Sequence, residues 1–160
     1  MDKPKFVYVT YITTTPEKLW NALKNSEMTR QYWGNRTNAS DWKVGSKWEH
    51  RDVDDPMKID IVGKVLEIDP PRRLVLSWAS PQDAKDESKH TRVSFDIEQI
   101  GDAVRLTITH EDFTPGTDML TRISYGWPIV LSSLKTLLET GKSLSFSGKR
   151  DGWPPRPKAQ

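Results

Sequence analysis

The chain contains no cysteine among its 160 residues. Disulfide bonds, thiolate metal sites and cysteine nucleophiles are therefore excluded, and we expect a protein of the reducing cytoplasm. Long apolar runs are missing as well: no segment approaches the length of about 18 apolar residues that a membrane-spanning helix requires, and none follows Met1 as a signal peptide would. The sequence therefore predicts neither a membrane span nor a signal peptide.

An excess of charge of one sign is also lacking. The 24 basic and 22 acidic residues are interspersed and leave a formal net charge of +2. Because nucleic-acid-binding proteins carry a basic stripe or patch, we expect no nucleic acid among the partners. The sequence has no nucleotide-binding glycine loop, no GxSxG elbow and no HExxH motif, so we expect no cofactor and no metal.

Large apolar side chains are what the chain does have, including seven tryptophans. A chain of this length buries roughly 68–70% of its unfolded surface, which is enough for one domain with one core. We place that domain at residues 1–141. The remaining residues, 142–160, are basic and proline-rich, and we expect them to be disordered.

The clearest helical pattern lies at Ile123 to Leu138. Its apolar residues recur at steps of three and four and predict one long amphipathic helix with a buried stripe. Gly141 is a typical stop signal. Pro128 removes a helical hydrogen-bond donor, and we expect a kink or break beside Gly126.

The sequence upstream reads mainly as strands. Phe6–Ile12 is rich in β-branched and aromatic residues, and two short helices follow it, the first capped by Thr15 with Pro16 in its first turn. The segment 35–41 is polar and predicts a loop. An apolar pattern that changes phase near Gly63 predicts a bulge there. Alternation at 93–97 and 104–108, joined by Gly101-Asp102, indicates an antiparallel hairpin with one solvated face.

Several motifs together resemble one known family. They are TTPEKLWNAL at 14–23, YWG at 32–34, KVGSKW at 43–48, GKVLEIDPPRRLVLSW at 63–78, LTITHEDF at 106–113 and GWPIVLSSLKTLLETG at 126–141. In combination they are similar to the homologues of the heat-shock chaperone ATPase activator (AHSA-type), within the SRPBCC or START-like superfamily.

This resemblance implies an α+β helix-grip fold, also described as START-like or birch-pollen-allergen-like. In that fold a curved antiparallel sheet of about six to seven strands wraps a long C-terminal helix, and two short helices follow the first strand. It also implies an apolar cavity between helix and sheet. We expect the following residues to line that cavity: Trp33, Trp48, His50, Trp78, Phe95, His110, Trp127, Leu131 and Leu134.

The two histidines are the residues of this set whose side chains could take part in acid–base chemistry. His110 continues the apolar alternation of its strand and should face the concave side of the sheet, and His50 shares a face with Trp48. Either could orient a ligand or act as a base, but nothing beside them in sequence completes a nucleophile–base pair. We therefore assign no catalytic residue.

Three functions are compatible with this sequence. The first is a non-enzymatic module that holds a small hydrophobic or aromatic ligand between helix and sheet. The second is a chaperone-docking domain that stimulates a heat-shock chaperone ATPase, which the family resemblance implies. The third is a cyclase- or hydrolase-type enzyme that uses a cavity histidine. The pattern fits a monomer or a homodimer equally well.

Overall fold

A computed structural model describes residues 3–149 and 153–154 of the chain. The seven strands are β1 Phe6–Ile12, β2 Arg36–Ser40, β3 Lys47–Asp52, β4 Ile59–Asp69, β5 Arg73–Trp78, β6 Thr91–Ile100 and β7 Ala103–Glu111. The three helices are α1 Pro16–Lys24, α2 Ser26–Tyr32 and α3 Met119–Thr140. Two short 3-10 turns, Pro81–Asp83 and Glu87–Lys89, lie between β5 and β6.

All seven strands form one antiparallel sheet in the order β1-β7-β6-β5-β4-β3-β2. The sheet is open and curved, and α3 packs in its concave face, so the predicted helix-grip fold is confirmed. The alternation of apolar residues predicted the β6–β7 hairpin because these residues share one buried face. Phe95, for example, lies opposite Ile108, and both side chains are buried. Gly101 has a positive φ of 60°, as the two-residue turn requires.

The core lies between the sheet and α3. Ile123, Trp127, Val130, Leu134 and Leu137 are all buried and form the predicted stripe. A helix with one apolar face is stable only when that face is covered, and here the concave face of the sheet covers it.

Helix α3 is longer than the pattern predicts and continues through Pro128 from Met119 to Thr140. The expected break beside Gly126 is therefore wrong, and the alternative, a kink there, stays a prediction. Packing of the turns on both sides of Pro128 against the sheet outweighs the loss of one backbone donor. Gly141 ends the helix with a left-handed φ of 83°, as predicted.

Strand β2 replaces the loop expected at 35–41. Its residues except Ala39 are polar, but it lies at the edge of the sheet and, within the described residues, pairs only with β3. Its buried residue is Asn38, whose Nδ2 donates to the Leu23 carbonyl at 2.9 Å. A polar segment can form a strand here because its one buried side chain is fully hydrogen-bonded.

The irregularities of β4 do not lie at Gly63, which pairs regularly with Trp48. The register shifts instead between His50 and Arg51 on the β3 side and between Val65 and Glu67 on the β5 side. Gly63 has a different role, because a side chain there would overlap the Ser77 carbonyl. That carbonyl accepts a hydrogen bond from Trp48 Nε1 at 2.8 Å, so the glycine makes room for this contact.

The chain after Gly141 stays on the domain where the structure describes it. Ser147 is fully buried; its carbonyl accepts from the Gly34 N–H at 2.7 Å, and its hydroxyl lies 2.6 Å from the Gln31 carbonyl. The ring of Trp153 packs directly against Gly34, which has a positive φ of 60°. The expectation of a disordered tail stays a prediction: residues 142–149 and 153–154 belong to the described part of the chain, and the rest of 142–160 lies outside it.

Candidate functional site

A cavity of about 280 Å³ lies between α3 and the half of the sheet formed by β3, β4 and β5. Three successive turns of α3 supply Ile123, Trp127 and Val130 to one wall. Strands β3, β4 and β5 supply His50, Ile61 and Trp78 to the opposite wall. Its remaining lining consists of Trp33, Arg36, Asp60, Met119, Arg122, Gly126, Trp153 and Pro154.

Aromatic rings form a continuous cluster around this cavity. Trp127 lies 5.6 Å from Trp33 and 5.4 Å from Trp78 between ring centroids, and the Trp33 and His50 rings are 4.6 Å apart. Trp48, which does not line the cavity, packs against Trp78 with 5.2 Å between the ring centroids. Offset and tilted contacts at these distances are favourable, so the rings fix one another and give the cavity rigid walls.

His110 lies at the base of this cluster and is fully buried. Its Nδ1 accepts from Trp127 Nε1 at 3.1 Å, so its proton must reside on Nε2, which lies 2.8 Å from Thr91 Oγ1. The Thr91 hydroxyl in turn donates to the Trp78 carbonyl at 2.7 Å. Burial lowers the pKa of His110 to about 3. The ring is therefore neutral, with both nitrogens hydrogen-bonded, and it does not line the cavity.

His50 is buried too, but it does line the cavity. Its Nδ1 lies 2.8 Å from Asn38 Oδ1. Because the Asn38 amide nitrogen donates to the Leu23 carbonyl, the amide oxygen is the acceptor and His50 Nδ1 is the donor. Asn38 thus fixes the orientation of the imidazole, a role that its place in a polar segment did not reveal.

The mouth of the cavity is polar. Arg36 pairs with Asp60 through Nε, and its Nη1 donates to the Gly34 carbonyl at 3.2 Å. Arg122 makes longer contacts, 3.4 Å from its Nη1 to Ser80 Oγ and 4.0 Å to Asp118 Oδ1. Each guanidinium group therefore has a carboxylate partner, Asp60 for Arg36 and Asp118 for Arg122, and Arg122 holds the less firmly paired charge.

One buried donor in the cavity wall has no hydrogen-bond partner among the described residues. It is Nε1 of Trp78, whose side chain is only 6% exposed. The indole nitrogens of Trp48 and Trp127, by contrast, both donate within the protein. A buried donor without an acceptor costs about 1–3 kcal/mol, which makes this group a feature that requires an explanation.

The structure brings all nine residues predicted for the cavity into one cluster around α3 and the sheet, but it divides them into two layers. Trp33, His50, Trp78 and Trp127 line the cavity. The other five are buried behind that wall and belong to the core: Trp48, Phe95, His110, Leu131 and Leu134. A role in contacting a ligand stays a prediction for the first four residues.

Sequence reasoning missed the polar mouth and the contribution of the tail. Arg36 and Asp60 lie in segments without a distinctive pattern, and Arg122 lies off the apolar stripe. Ile123 and Val130 were in the predicted stripe, so their burial was foreseen although their place in the cavity wall was not. Trp153 offered only a weak signal, an aromatic residue among prolines.

Two features are absent from the described ranges 3–149 and 153–154. No group of three or more His, Asp or Glu side chains there is arranged to hold a metal ion. Among the helices of that same part of the chain, none is both long and apolar enough to cross a membrane.

Comparison with known families gives one match that covers most of the chain. The model of the family described as "Activator of Hsp90 ATPase homolog 1-like protein" matches residues 13–139. These residues include every element from α1 to β7 and all but the last residue of α3. No curated protein matches the chain.

Solved structures with the same fold include the Aha1 dimer from Colwellia psychrerythraea, with 25% identity and a TM-score of 0.70 over 88% of this chain and 99% of that one. CalU16 from Micromonospora echinospora has 18% identity and a TM-score of 0.70, with coverage of 91% and 71%. PFC0360w, an HSP90 activator from Plasmodium falciparum, has 24% identity and a TM-score of 0.62, with coverage of 77% and 86%. The last two likenesses speak for the fold alone.

Proposed function

The chain belongs to the Activator of Hsp90 ATPase homolog 1-like family, and from this premise we propose that it binds a small, largely apolar molecule in the cavity between α3 and the sheet. The observation that carries the proposal is the composition of the cavity wall. Four tryptophans and three aliphatic residues, from α3, the sheet and the segments outside them, converge on one space. Pockets for small molecules are typically apolar, concave and pre-formed, with a few polar groups that set orientation.

The size of the cavity limits the ligand. A volume of about 280 Å³ lies just below the range of roughly 300–1,000 Å³ typical of ligand pockets. A molecule of one or two rings, or a short acyl chain, matches this space better than a full lipid does. Rigid aromatic walls favour a flat ligand, because stacked and tilted ring contacts add to the burial of apolar surface.

The chemistry of His110 supports a binding role over a catalytic one for this residue. His110 is neutral, uses both ring nitrogens within the protein and lies behind the wall. His50 uses Nδ1 to contact Asn38. A general base needs a lone pair directed at the substrate, and His110 does not offer one to the cavity.

Binding can be tested with neutral aromatic and aliphatic compounds, including 2-naphthamide, by following tryptophan emission and thermal unfolding. A ligand at a hundred times its Kd adds about 2.7 kcal/mol, so the midpoint of unfolding should rise by about 5 °C or more. The substitution Val130→Phe fills the cavity and should abolish both signals. The same exchange at the exposed Val9 should preserve them. If no compound changes either signal, the proposal is rejected.

A second candidate function is stimulation of an Hsp90-type ATPase. The family description names it, and the 25% identity to the Aha1 dimer spans nearly the whole length of that protein. Titration of the chain into such a chaperone should then raise ATP turnover severalfold, and unchanged turnover would reject this function. Val130→Phe separates the two functions, because docking on a chaperone does not require an open cavity.

A further inference from the structure

We infer that the ligand of this cavity is an apolar acid whose carboxylate accepts hydrogen bonds from Arg122 and from Trp78 Nε1. The inference rests on the proposed binding function and adds the chemical class of the ligand. It is carried by the combination of an apolar wall, a buried donor without an acceptor and an incompletely paired cation at the mouth.

The first step is the unpaired donor. Trp78 lies at the end of β5, where its ring packs against Trp48, Trp127 and His110 and so cannot readily turn to find another partner. Its Nε1 has no acceptor among the described residues and almost no accessible surface, so a ligand in the cavity, which other atoms of the side chain line, reaches it only when the wall shifts slightly. A ligand that accepts a hydrogen bond there would satisfy the donor, whereas a pure hydrocarbon would leave it unpaired.

The second step is the charge at the mouth. Asp60 pairs with Arg36, so that pair is close to electrically neutral. Arg122 remains, and its contacts of 3.4 Å and 4.0 Å are longer than those of a well-formed charge-assisted hydrogen bond. Because its side chain is 40% exposed, the guanidinium can turn toward a ligand without loss of a strong contact. The mouth therefore favours an anion over a neutral or cationic group.

The third step is the position of Arg122 in the fold. It lies in the first turns of α3, one residue before the cavity-lining Ile123 and one turn after Met119. Its charge therefore stands at the rim of an otherwise apolar space. A molecule with a ring at one end and a carboxylate at the other matches this division, with the ring among Trp33, Trp78 and Trp127.

Three compounds of equal shape test the inference: 2-naphthoate, the neutral 2-naphthamide and the cationic 2-naphthylmethylamine. The acid should bind the full chain about tenfold more tightly than the amide, and the amine should bind least. Added salt should weaken binding of the acid more than that of the amide. In a spectrum of the indole N–H groups, the signal that is lost in Trp78→Phe should shift when the acid is added.

Arg122→Gln should reduce the ratio of acid to amide affinity toward one. Arg92→Gln is the matched control, because Arg92 pairs with Glu67 and does not line the cavity, and it should keep the ratio. An amide that binds as tightly as the acid, or a ratio unaffected by Arg122→Gln, overturns the inference but leaves the proposed function standing. Failure of all three compounds to bind contradicts the proposed function itself.

Discussion

The direction of hydrogen bonding around His110 determines its protonation state. Trp127 Nε1 can only donate, so His110 Nδ1 must be an acceptor, and a proton there would face the indole N–H. Desolvation acts in the same direction and lowers the pKa of the imidazole to about 3. A buried histidine that looks like a base in the sequence is therefore a fixed, neutral link between α3, β6 and β5.

His110 should make stability depend on pH. The unfolded imidazole has a pKa of about 6.5, so below that pH it binds a proton that the folded imidazole does not bind. The free energy of unfolding is therefore highest above pH 6.5 and falls as the pH is lowered. Between pH 7.5 and pH 5 the loss from this residue is about 2 kcal/mol. Urea unfolding should show that loss in the wild type and a correspondingly smaller one in His110→Gln.

Direct observation of the ring gives an independent check. The ¹⁵N shifts of the His110 imidazole should report a proton on Nε2 and should not change between pH 8 and pH 5. A ring that titrates within this interval would contradict the hydrogen-bond directions assigned here.

A second prediction for a single residue concerns the stability of a Gly63 variant. A methyl group at this position would overlap the Ser77 carbonyl and the indole nitrogen of Trp48, and backbone atoms of a central strand cannot move away readily. We expect Gly63→Ala to lower the free energy of unfolding by about 3 kcal/mol. Chemical denaturation measures the loss, and tryptophan emission of the folded variant should also shift because the contact from Trp48 to Ser77 is disturbed. Wild-type stability would refute the close approach.

At the scale of elements, periodicity made α3 and the β6–β7 hairpin predictable from the sequence. Their apolar residues repeat at the period of the structure they form, and the sheet and helix bury those residues together. Strand β2 was not predictable, because an edge strand needs only one partner and tolerates polar residues, of which Asn38 is the buried one. Its pairing with β3 is set by tertiary context.

The polar mouth of the cavity was unpredictable for a related reason. Arg36 lies on β2 and Asp60 on β4, on either side of β3 and 24 residues apart in the chain, and Arg122 comes from α3. A charged residue on a strand or helix is usually a solvated surface group. Only the arrangement of the elements brings these three to one opening.

Helix α3 contains two residues that disfavour helices, Gly126 and Pro128, and a substitution at Gly126 measures the cost of the first. It lies inside the helix with an ordinary backbone, and an added methyl group there would meet nothing within 4 Å. Gly126→Ala should therefore raise the free energy of unfolding by about 0.5–1 kcal/mol, since alanine loses less backbone entropy in a helix. Denaturant unfolding checks the sign, which is opposite to that of Gly63→Ala. A loss of stability would show that the turn before Pro128 needs glycine.

At the scale of the whole molecule, the fold combines a packed half and a hollow half. Phe95, Leu131 and Leu134 are buried in the core that α3 forms with the sheet. The cavity opens on the other side, toward β3, β4 and β5. Helix α3 therefore supplies residues both to the packed core and to the cavity wall.

The tail closes the hollow half, and its contribution to stability can be measured. Removal of residues 142–160 would leave the Gly34 N–H without the Ser147 carbonyl and would uncover the surface of Gly34 against which Trp153 packs. From the lost hydrogen bonds and apolar burial we expect a decrease of about 2–4 kcal/mol in the free energy of unfolding. Ser147→Ala alone, which removes the hydroxyl near the Gln31 carbonyl, should cost about 1 kcal/mol.

A chain that ends after Pro154 is the matched control, because it keeps every contact described for the tail. It should unfold at the wild-type denaturant concentration, whereas the chain that ends at Gly141 should unfold earlier. Equal stability of all three chains would mean that residues 1–141 form the complete folding unit, as the sequence pattern predicts. A graded loss would mean instead that the domain extends through the tail, since the buried Ser147 is then part of its core.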